Sequence, residues 1–279
     1  MLLSVEGLCK SYPKFQLKGV SFQLERGYIM GFIGRNGAGK TTTLKSMLNL
    51  VRPDAGRISY FGMDFSRSEL ACKQRIGAMF GAFSHYPRER LKNIAAVTRR
   101  FYDDWDDGVF SSYMDRFELD GGKRVNELSA GMKVKFALAL ALSHNAELLI
   151  LDEPTSGLDP VSRDDLVALF QELIEEGGRS ILFSPHITSD LEKCADYITY
   201  IKDGEIIAST DKEGFTGAYR LVRGREGQLT EALSQRLLGL RKNAFGFEAM
   251  ARAEDLPYCA GLEAAPANLE SVMIHLERE

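Results

Sequence analysis

A glycine-rich loop between an apolar run and a helical run constrains this chain more than any other sequence feature. Tyr28–Ile33 is compact and apolar, and Thr41–Leu50 has the spacing of a helix that ends before Pro53. The loop between them, Gly34–Thr41, fits the pattern G-x-x-x-x-G-K-[ST]. Glycines there let backbone N–H groups turn toward phosphate oxygens, and the helix N-terminus adds its dipole. The loop therefore predicts a site for a nucleoside triphosphate.

One role, contact with the nucleotide, is predicted for the whole loop and the residue after it. These residues are Gly34, Arg35, Asn36, Gly37, Ala38, Gly39, Lys40, Thr41 and Thr42. Lys40 is expected to reach the β- and γ-phosphates, and the Thr41 hydroxyl to ligate Mg²⁺. The alternative is a chance glycine-rich turn, but few such turns lie directly between a strand and a helix.

A second apolar run ends in two acids. Leu148–Leu151 is typical of a buried parallel strand, which would deliver Asp152 to the carboxyl edge of a sheet. Asp152 is expected to hold Mg²⁺ through water, and Glu153 to polarise the attacking water as general base. Adjacent acids after a strand are often only a helix cap. The phosphate loop earlier in the chain favours the catalytic interpretation.

A third motif, Leu128–Met132, precedes the helical run Val134–Leu142. Ser129 is a good N-cap, and Gly131 permits close approach of another backbone or a ligand. On its own the pentapeptide indicates an ordinary capped helix. Its second interpretation is a helix end that binds an anion.

In this order and spacing, the three motifs resemble those of the ATP-binding cassette (ABC) family over about residues 2–210. Gly34–Thr41 is similar to Walker A, Leu128–Met132 to the signature, and Leu148–Asp152 to Walker B. The resemblance implies further roles for Tyr12 on adenine, for Ser129, Ala130 and Gly131 on the ATP of a partner subunit, for Asp159 in the D-loop, and for His186 as the catalytic switch histidine.

The implied fold is an α/β P-loop NTPase cassette with a RecA-like core, an antiparallel β part and a helical insertion. The cassette is expected over 1–210, with the helical subdomain at about 84–143. Residues 211–279 are expected to form a small α+β accessory region. Its final helix should carry Leu269, Val272, Met273 and Leu276 on one face and be capped by Asn268.

Two positions depart from the family pattern. Gly81 aligns where the family has a glutamine that helps to hold Mg²⁺ and reports to the membrane partner. Because glycine has no side-chain oxygen, one metal contact is missing or comes from backbone or water. In the signature, Ala130 and Met132 replace the common Gly and Gln, a minor change since Ser129 and Gly131 are retained.

Within the family the chain is most similar to ATPase subunits of bacterial ABC-2 type exporters. This implies ATP and Mg²⁺ as cofactors and a homodimer or heterodimer in which each ATP lies between two subunits. It also implies separate transmembrane permease subunits, because no stretch free of charged residues approaches the roughly 20 residues of a spanning helix. The expected location is cytoplasmic, on the inner face of the membrane through the permease.

Composition excludes several other classes. With 35 Lys+Arg against 39 Asp+Glu the net charge is −4, so no nucleic-acid partner is expected. Four scattered cysteines without flanking histidines argue against zinc and disulfides. Two alternatives remain: a soluble ABC ATPase not coupled to transport, for example of the iron–sulfur assembly type, and a nucleotide-bound interaction module with little turnover, which rests on Gly81 alone.

Overall fold

The computed structural model describes residues 1–81, 86–185 and 187–278. Over these ranges the strands are β1 (Leu3–Tyr12), β2 (Phe15–Leu24), β3 (Ile29–Ile33), β4 (Ala55–Tyr60), β5 (Met63–Asp64), β6 (Ile76–Phe80), β7 (Leu148–Asp152), β8 (Ser180–Ser184), β9 (Tyr197–Lys202), β10 (Glu205–Asp211), β11 (Tyr219–Gly224), β12 (Leu237–Asn243), β13 (Gly246–Arg252) and β14 (Glu263–Pro266). The α-helices are α1 (Lys40–Met47), α2 (Glu69–Gln74), α3 (Leu91–Thr98), α4 (Asp107–Arg116), α5 (Ala130–Ser143), α6 (Pro160–Glu175), α7 (Ser189–Cys194), α8 (Lys212–Gly217), α9 (Glu231–Ser234) and α10 (Leu269–Leu276).

The chain divides into two compact units, Met1–Ile206 and Ile207–Glu279. The first unit is built on a parallel sheet of order β9-β3-β8-β7-β6, and a sixth strand at its edge, β10, runs past the end of the unit at Ile206. The neighbours from β9 to β6 pair in parallel, and β3, β7 and β8 are buried along their whole length. Burial on both faces explains why these three strands are continuous apolar runs in the sequence.

A second, antiparallel sheet of order β2-β1-β4-β5 completes the β part of the first unit. Its inner face and the central sheet share one apolar core, which includes Leu8 on β1, Phe32 on β3 and Ile150 on β7. Register shifts between Val5 and Lys10 interrupt the alternation of buried and exposed residues in β1.

Helices fill the segment between β6 and β7. In its described part, from residue 86 onward, α3, α4 and α5 are joined by loops that each contain one turn of 3-10 helix, and no strand longer than the single bridge of Arg90 with Arg124 occurs. Two of the helices have side-chain caps: Asp106 accepts the N–H of Gly108, and Ser129 accepts that of Met132.

The helix after the phosphate loop is shorter than the sequence indicates. It ends at Met47 rather than at Leu50, because Asn49 adopts φ +57° and the chain reverses. The Leu50 N–H then donates to the Lys45 carbonyl, which is the hydrogen bond of a Schellman-type helix end.

The second unit is an antiparallel sheet of order β12-β13-β11-β14 with helices α8, α9 and α10. It has its own apolar core, which includes Val222, Phe247 and Ala249. Its last helix begins after Asn268, whose side chain accepts the Ser271 N–H, as the sequence indicates. Residues 229–240 are divided between α9 and the start of β12.

Candidate functional site

The phosphate loop joins the buried strand β3 to helix α1. Its conformation requires glycine at two positions. Gly34 has φ +157° and Gly39 has φ +116°. A Cβ on Gly34 would lie 2.2 Å from the Ile201 carbonyl oxygen, and one on Gly39 would lie 2.8 Å from Phe15 Cζ. Any side chain there would collide, so the sequence pattern has a direct steric cause.

The Lys40 ammonium lies inside the loop. Its Nζ donates to the carbonyl oxygens of Gly34, at 2.7 Å, and Arg35, at 3.2 Å. The Ala38 N–H also bonds to the Arg35 carbonyl, which closes the loop on itself. A buried ammonium surrounded by backbone groups is placed to meet phosphate oxygens of a nucleotide.

The loop meets the carboxyl edge of the sheet through one hydrogen bond. The Thr41 hydroxyl donates to Asp152 Oδ2 at 2.7 Å, so the two predicted metal residues lie in contact although 110 residues separate them in the chain. Burial raises the pKa of the Asp152 carboxyl, and the hydrogen bond from Thr41 partly opposes that rise.

Two buried oxygens beside this contact have no hydrogen-bond partner in the described part of the chain. They are Asp152 Oδ1 and Ser184 Oγ, which lie on paired residues at the ends of β7 and β8. Unpaired buried oxygens are costly in a folded protein unless something fills the position beside them. Mg²⁺ takes oxygen ligands of this kind, so the residues present fit the predicted metal.

Glu153 follows Asp152 in a conformation that an L-residue rarely adopts. Its φ is +55°, and its N–H donates to the Ser184 carbonyl at 2.8 Å. This conformation costs on the order of 1 kcal/mol, and the hydrogen bond helps to hold it. Glu153 thereby leaves the strand and faces the phosphate loop across a cleft of about 430 Å³. The cleft is lined by Phe15, Asn36, Gly37, Gly39, Lys40, Thr41, Thr42 and Glu153.

Sequence reasoning missed Phe15 and Ser184 in this site. Phe15 is the partner of Tyr12 across the turn between β1 and β2. Its ring borders the cleft, whereas Tyr12 is 43% exposed and does not line it. The only sequence signal was a second aromatic three residues after Tyr12. Ser184 gave no signal, because its place beside Asp152 depends on strand register.

The signature and D-loop residues cap two neighbouring helices. Ser129 caps α5, and Asp159 caps α6 by accepting the N–H groups of Val161 and Ser162. The Ser162 hydroxyl also donates to Asp159, and this hydrogen bond lowers the pKa of the Asp159 carboxyl. Leu158 of the D-loop lies beside Gly131, within 3.7 Å of where a Cβ would be.

None of the three predicted signature contacts, Ser129, Ala130 and Gly131, lines the phosphate-loop cleft of its own chain. His186, the predicted switch histidine, lies outside the described residues. Gly81 directly follows β6 with φ +64°, and its N–H donates to the Asp152 carbonyl at 3.0 Å. The position aligned with the family glutamine is therefore next to the predicted metal residue.

Comparison with known proteins gives one consistent result. The family model described as "ABC transporter" matches residues 17–156. The ABC transporter ATP-binding protein YtrB of Bacillus subtilis is 32% identical over 203 residues, which cover 73% of this chain and 69% of YtrB. The bacitracin transport ATP-binding protein BcrA of Bacillus licheniformis is 33% identical over 67% of this chain and 62% of its own length. The daunorubicin resistance protein DrrA3 of Streptomyces coeruleorubidus is 33% identical over 83% of this chain and 77% of its own.

Solved structures agree on the fold. The ATP-binding subunit of an ABC transporter superposes with a TM-score of 0.70 and 25% identity, covering 78% of this chain and 92% of that one. A dimeric ATP-binding cassette with bound ADP and phosphate gives a TM-score of 0.66 at 23% identity, over 75% of this chain and 98% of its own.

The chain belongs to the ABC transporter ATP-binding proteins, as its motifs indicate. It is an ATP-binding, ATP-hydrolysing subunit of the kind that powers bacterial ABC transporters, and its relatives support the ABC-2 exporter group. They do not favour the iron–sulfur assembly alternative. Among the described helices none is both long and apolar enough to span a membrane.

Proposed function

We propose that this chain is the ATPase subunit of an ABC-2 type exporter and drives a separate membrane permease by ATP-dependent dimerisation. The observation that carries the proposal is the contact of Thr41 with Asp152, because it joins the phosphate loop to the acids at the end of β7. Relatives named for bacitracin transport and for daunorubicin resistance support the proposed direction of transport.

Residues in and beside the cleft divide the tasks of ATP hydrolysis. Lys40 and free backbone N–H groups of the phosphate loop hold the phosphates, and Phe15 at the border of the cleft offers its ring to the nucleoside, with Tyr12 beside it across the turn between β1 and β2. Glu153 orients a water molecule toward the γ-phosphate and takes its proton. When Mg²⁺ is bound by Thr41 and Asp152, it neutralises charge on the phosphates.

A single chain supplies only half of this machinery. Ser129 caps α5 and is exposed, Ala130 and Gly131 in its first turn are half-buried, and none of the three lines its own chain's cleft. We assign them, together with Asp159 and the switch histidine His186, to a site completed by a second subunit. ATP then holds the two subunits together, and hydrolysis releases them and moves the permease at the inner face of the membrane.

The assignment of Glu153 is tested by Glu153→Gln. The amide keeps the shape of the side chain but cannot accept the proton, so we expect turnover to fall at least about a hundredfold with ATP affinity unchanged. Glu175→Gln is the matched control, since Glu175 is exposed near the end of α6, far along the chain from the motifs. Both rates come from phosphate release by the purified chain. Parent-level turnover in Glu153→Gln would refute the role.

The transport part is tested in membranes. We expect the tagged chain to co-purify with a membrane protein of several spanning helices, and its ATPase rate to change when that protein is present. Recovery of the chain with iron–sulfur assembly proteins, and without a membrane protein, would overturn the coupling to transport while leaving the ATPase assignment intact.

A further inference from the structure

A second polar cleft lies at the end of α1 opposite the phosphate loop. It has a volume of about 590 Å³ and is bounded by α1, β4, β5 and the start of α2. Three exposed arginines, Arg52, Arg57 and Arg67, line it together with the buried apolar side chains of Ile58 and Phe65. We call it the arginine cleft. Nothing in ATP hydrolysis as derived above uses it.

The carboxylate of Asp64, one of two acids in the arginine cleft, already has partners within the chain. Its Oδ1 accepts the backbone N–H of Ser66 at 3.0 Å and the Ser66 hydroxyl at 2.6 Å. Those hydrogen bonds keep the pKa of Asp64 below its ordinary value, so the group is a carboxylate at neutral pH. Its Oδ2 lies 3.7 Å from Arg57 Nε, so the charges of these two residues largely offset each other.

The negative charge of Glu69, the other acid, is also offset by a neighbouring side chain. It accepts hydrogen bonds from Lys73 at 2.6 Å and from Asn49 at 3.0 Å. Two positive charges are then left over, because neither Arg52 nor Arg67 makes a salt bridge or side-chain hydrogen bond to any residue that the structure describes. The arginine cleft therefore carries an excess of positive charge beside a partly apolar wall.

Ser46, one of the residues around the same cleft, has a buried hydroxyl without a partner in the described chain. Ser46 is 1% exposed and lines the cleft, yet its Oγ bonds to no atom of the described chain. The carbonyl oxygens at this end of α1, which would repel an anion, are already hydrogen-bonded: those of Lys45 and Ser46 to following N–H groups, and that of Met47 to the Tyr60 hydroxyl.

We propose that the arginine cleft binds the phosphate group of a small ligand. The planar guanidinium forks of Arg52 and Arg67 match phosphate oxygens, and the Ser46 hydroxyl supplies a third donor at the buried end. The volume suits a small molecule, whose apolar part would lie against Ile58 and Phe65. A soluble phosphorylated compound and a phospholipid headgroup share this chemistry.

The test must distinguish binding in the arginine cleft from binding at the nucleotide site. The full chain is first saturated with ATP in the presence of a chelator of Mg²⁺, which blocks hydrolysis, and is then titrated calorimetrically with inorganic pyrophosphate. We expect the double variant Arg52→Gln/Arg67→Gln to bind at least about tenfold more weakly, since hydrogen bonds to charged groups are among the strong ones. Arg88→Gln/Arg100→Gln removes the same charge from exposed positions outside the cleft and should leave the affinity unchanged.

Ser46→Ala distinguishes a defined phosphate-binding site from non-specific attraction of anions by a positively charged surface. It removes the buried donor without changing charge, and we expect a several-fold loss of pyrophosphate affinity. Flotation with phosphatidylglycerol vesicles distinguishes the two sources of the phosphate group. If the parent binds vesicles and Arg52→Gln/Arg67→Gln does not, the ligand is a phospholipid headgroup. If the double variant weakens only pyrophosphate binding and the parent does not bind vesicles, the ligand is a soluble phosphorylated compound. Absence of binding to both probes, equal losses in the control double variant, or an unchanged affinity in Ser46→Ala would overturn the proposal.

Discussion

Gly81 shows at the level of one residue why the missing glutamine cannot be judged from sequence alignment alone. Its φ of +64° is a conformation that favours glycine, and its N–H is bonded to the Asp152 carbonyl. A Cβ would meet no atom within 4 Å, so the cost of a side chain there is backbone strain rather than collision. The backbone conformation at position 81 thus favours glycine.

Two variants separate the effect of backbone strain at position 81 from the effect of an added side-chain oxygen. Gly81→Ala and Gly81→Gln should both lose about 1–2 kcal/mol of stability, because each puts an L-residue in the left-handed region. Only the glutamine adds an amide oxygen near Asp152, so only it should change the Mg²⁺ concentration that gives half-maximal turnover. Mg²⁺-free ATP affinity should stay the same. An identical Mg²⁺ dependence in the two variants would mean that position 81 does not replace the family glutamine.

His144 is a second residue whose environment decides its behaviour. It is buried, its ring stacks on Tyr102 at 3.7 Å between centroids, and its Nδ1 lies 3.1 Å from the Gln74 carbonyl. Burial lowers its pKa from 6.5 to about 4. Between these two pH values His144 is therefore protonated in the unfolded chain but neutral in the folded chain. The free energy of unfolding consequently decreases as the pH falls below about 6.5.

His144→Phe tests this linkage. The phenyl ring keeps the stacking on Tyr102 but cannot titrate. Between pH 7.5 and 5 the parent should lose about 2 kcal/mol more stability than the variant, since 1.5 pH units below the free pKa correspond to that free energy. Denaturant unfolding at both pH values gives the two differences. A variant that loses as much as the parent would show that another group carries the acid sensitivity.

At the level of elements, the strongly apolar strands and the motif-bearing loops were predictable. The runs that become β3, β7 and β8 are buried on both faces, and the phosphate loop is dictated by steric contacts that only glycine satisfies. The strands β1 and β2 were not individually identified, because bulges break the alternation in β1. Phe15 and Ser184 join the site through pairing across strands, which local sequence does not encode.

The C-terminal helix tests a local prediction that the structure confirms. Asn268 Oδ1 accepts the Ser271 N–H at 2.8 Å, and the Ser271 hydroxyl bonds back to the Asn268 carbonyl. Asn268→Ala should lower the stability of this unit by about 1 kcal/mol, the usual cost of losing a helix cap. Asn268→Ser keeps a capping oxygen and should recover most of it. Equal thermal midpoints for Asn268→Ala and the parent would contradict the capping role.

At the level of the whole molecule, the two compact units differ in what they contain. The first, Met1–Ile206, carries every nucleotide and metal residue proposed here. The second has its own sheet and its own apolar core. We propose a structural or dimer-regulating role for it.

Removing residues from Asp211 onward tests that division. We expect ATP affinity to stay within about twofold of the parent, because Lys40 and the rest of the phosphate loop belong to the first unit. Fluorescent nucleotide titration of the truncated chain measures the affinity. A folded truncation that no longer binds ATP would show that the second unit completes the site.

The central claim is that two copies of this machinery enclose ATP and that Glu153 ends the enclosed state. Light scattering after size-exclusion chromatography of Glu153→Gln, with and without ATP, measures it directly. The account predicts the mass of one chain without nucleotide and of two chains with ATP. It further predicts that adding Ser129→Arg, which blocks the signature end of α5, restores the single-chain mass while ATP still binds. A Glu153→Gln chain that binds ATP but keeps its single-chain mass would contradict the account.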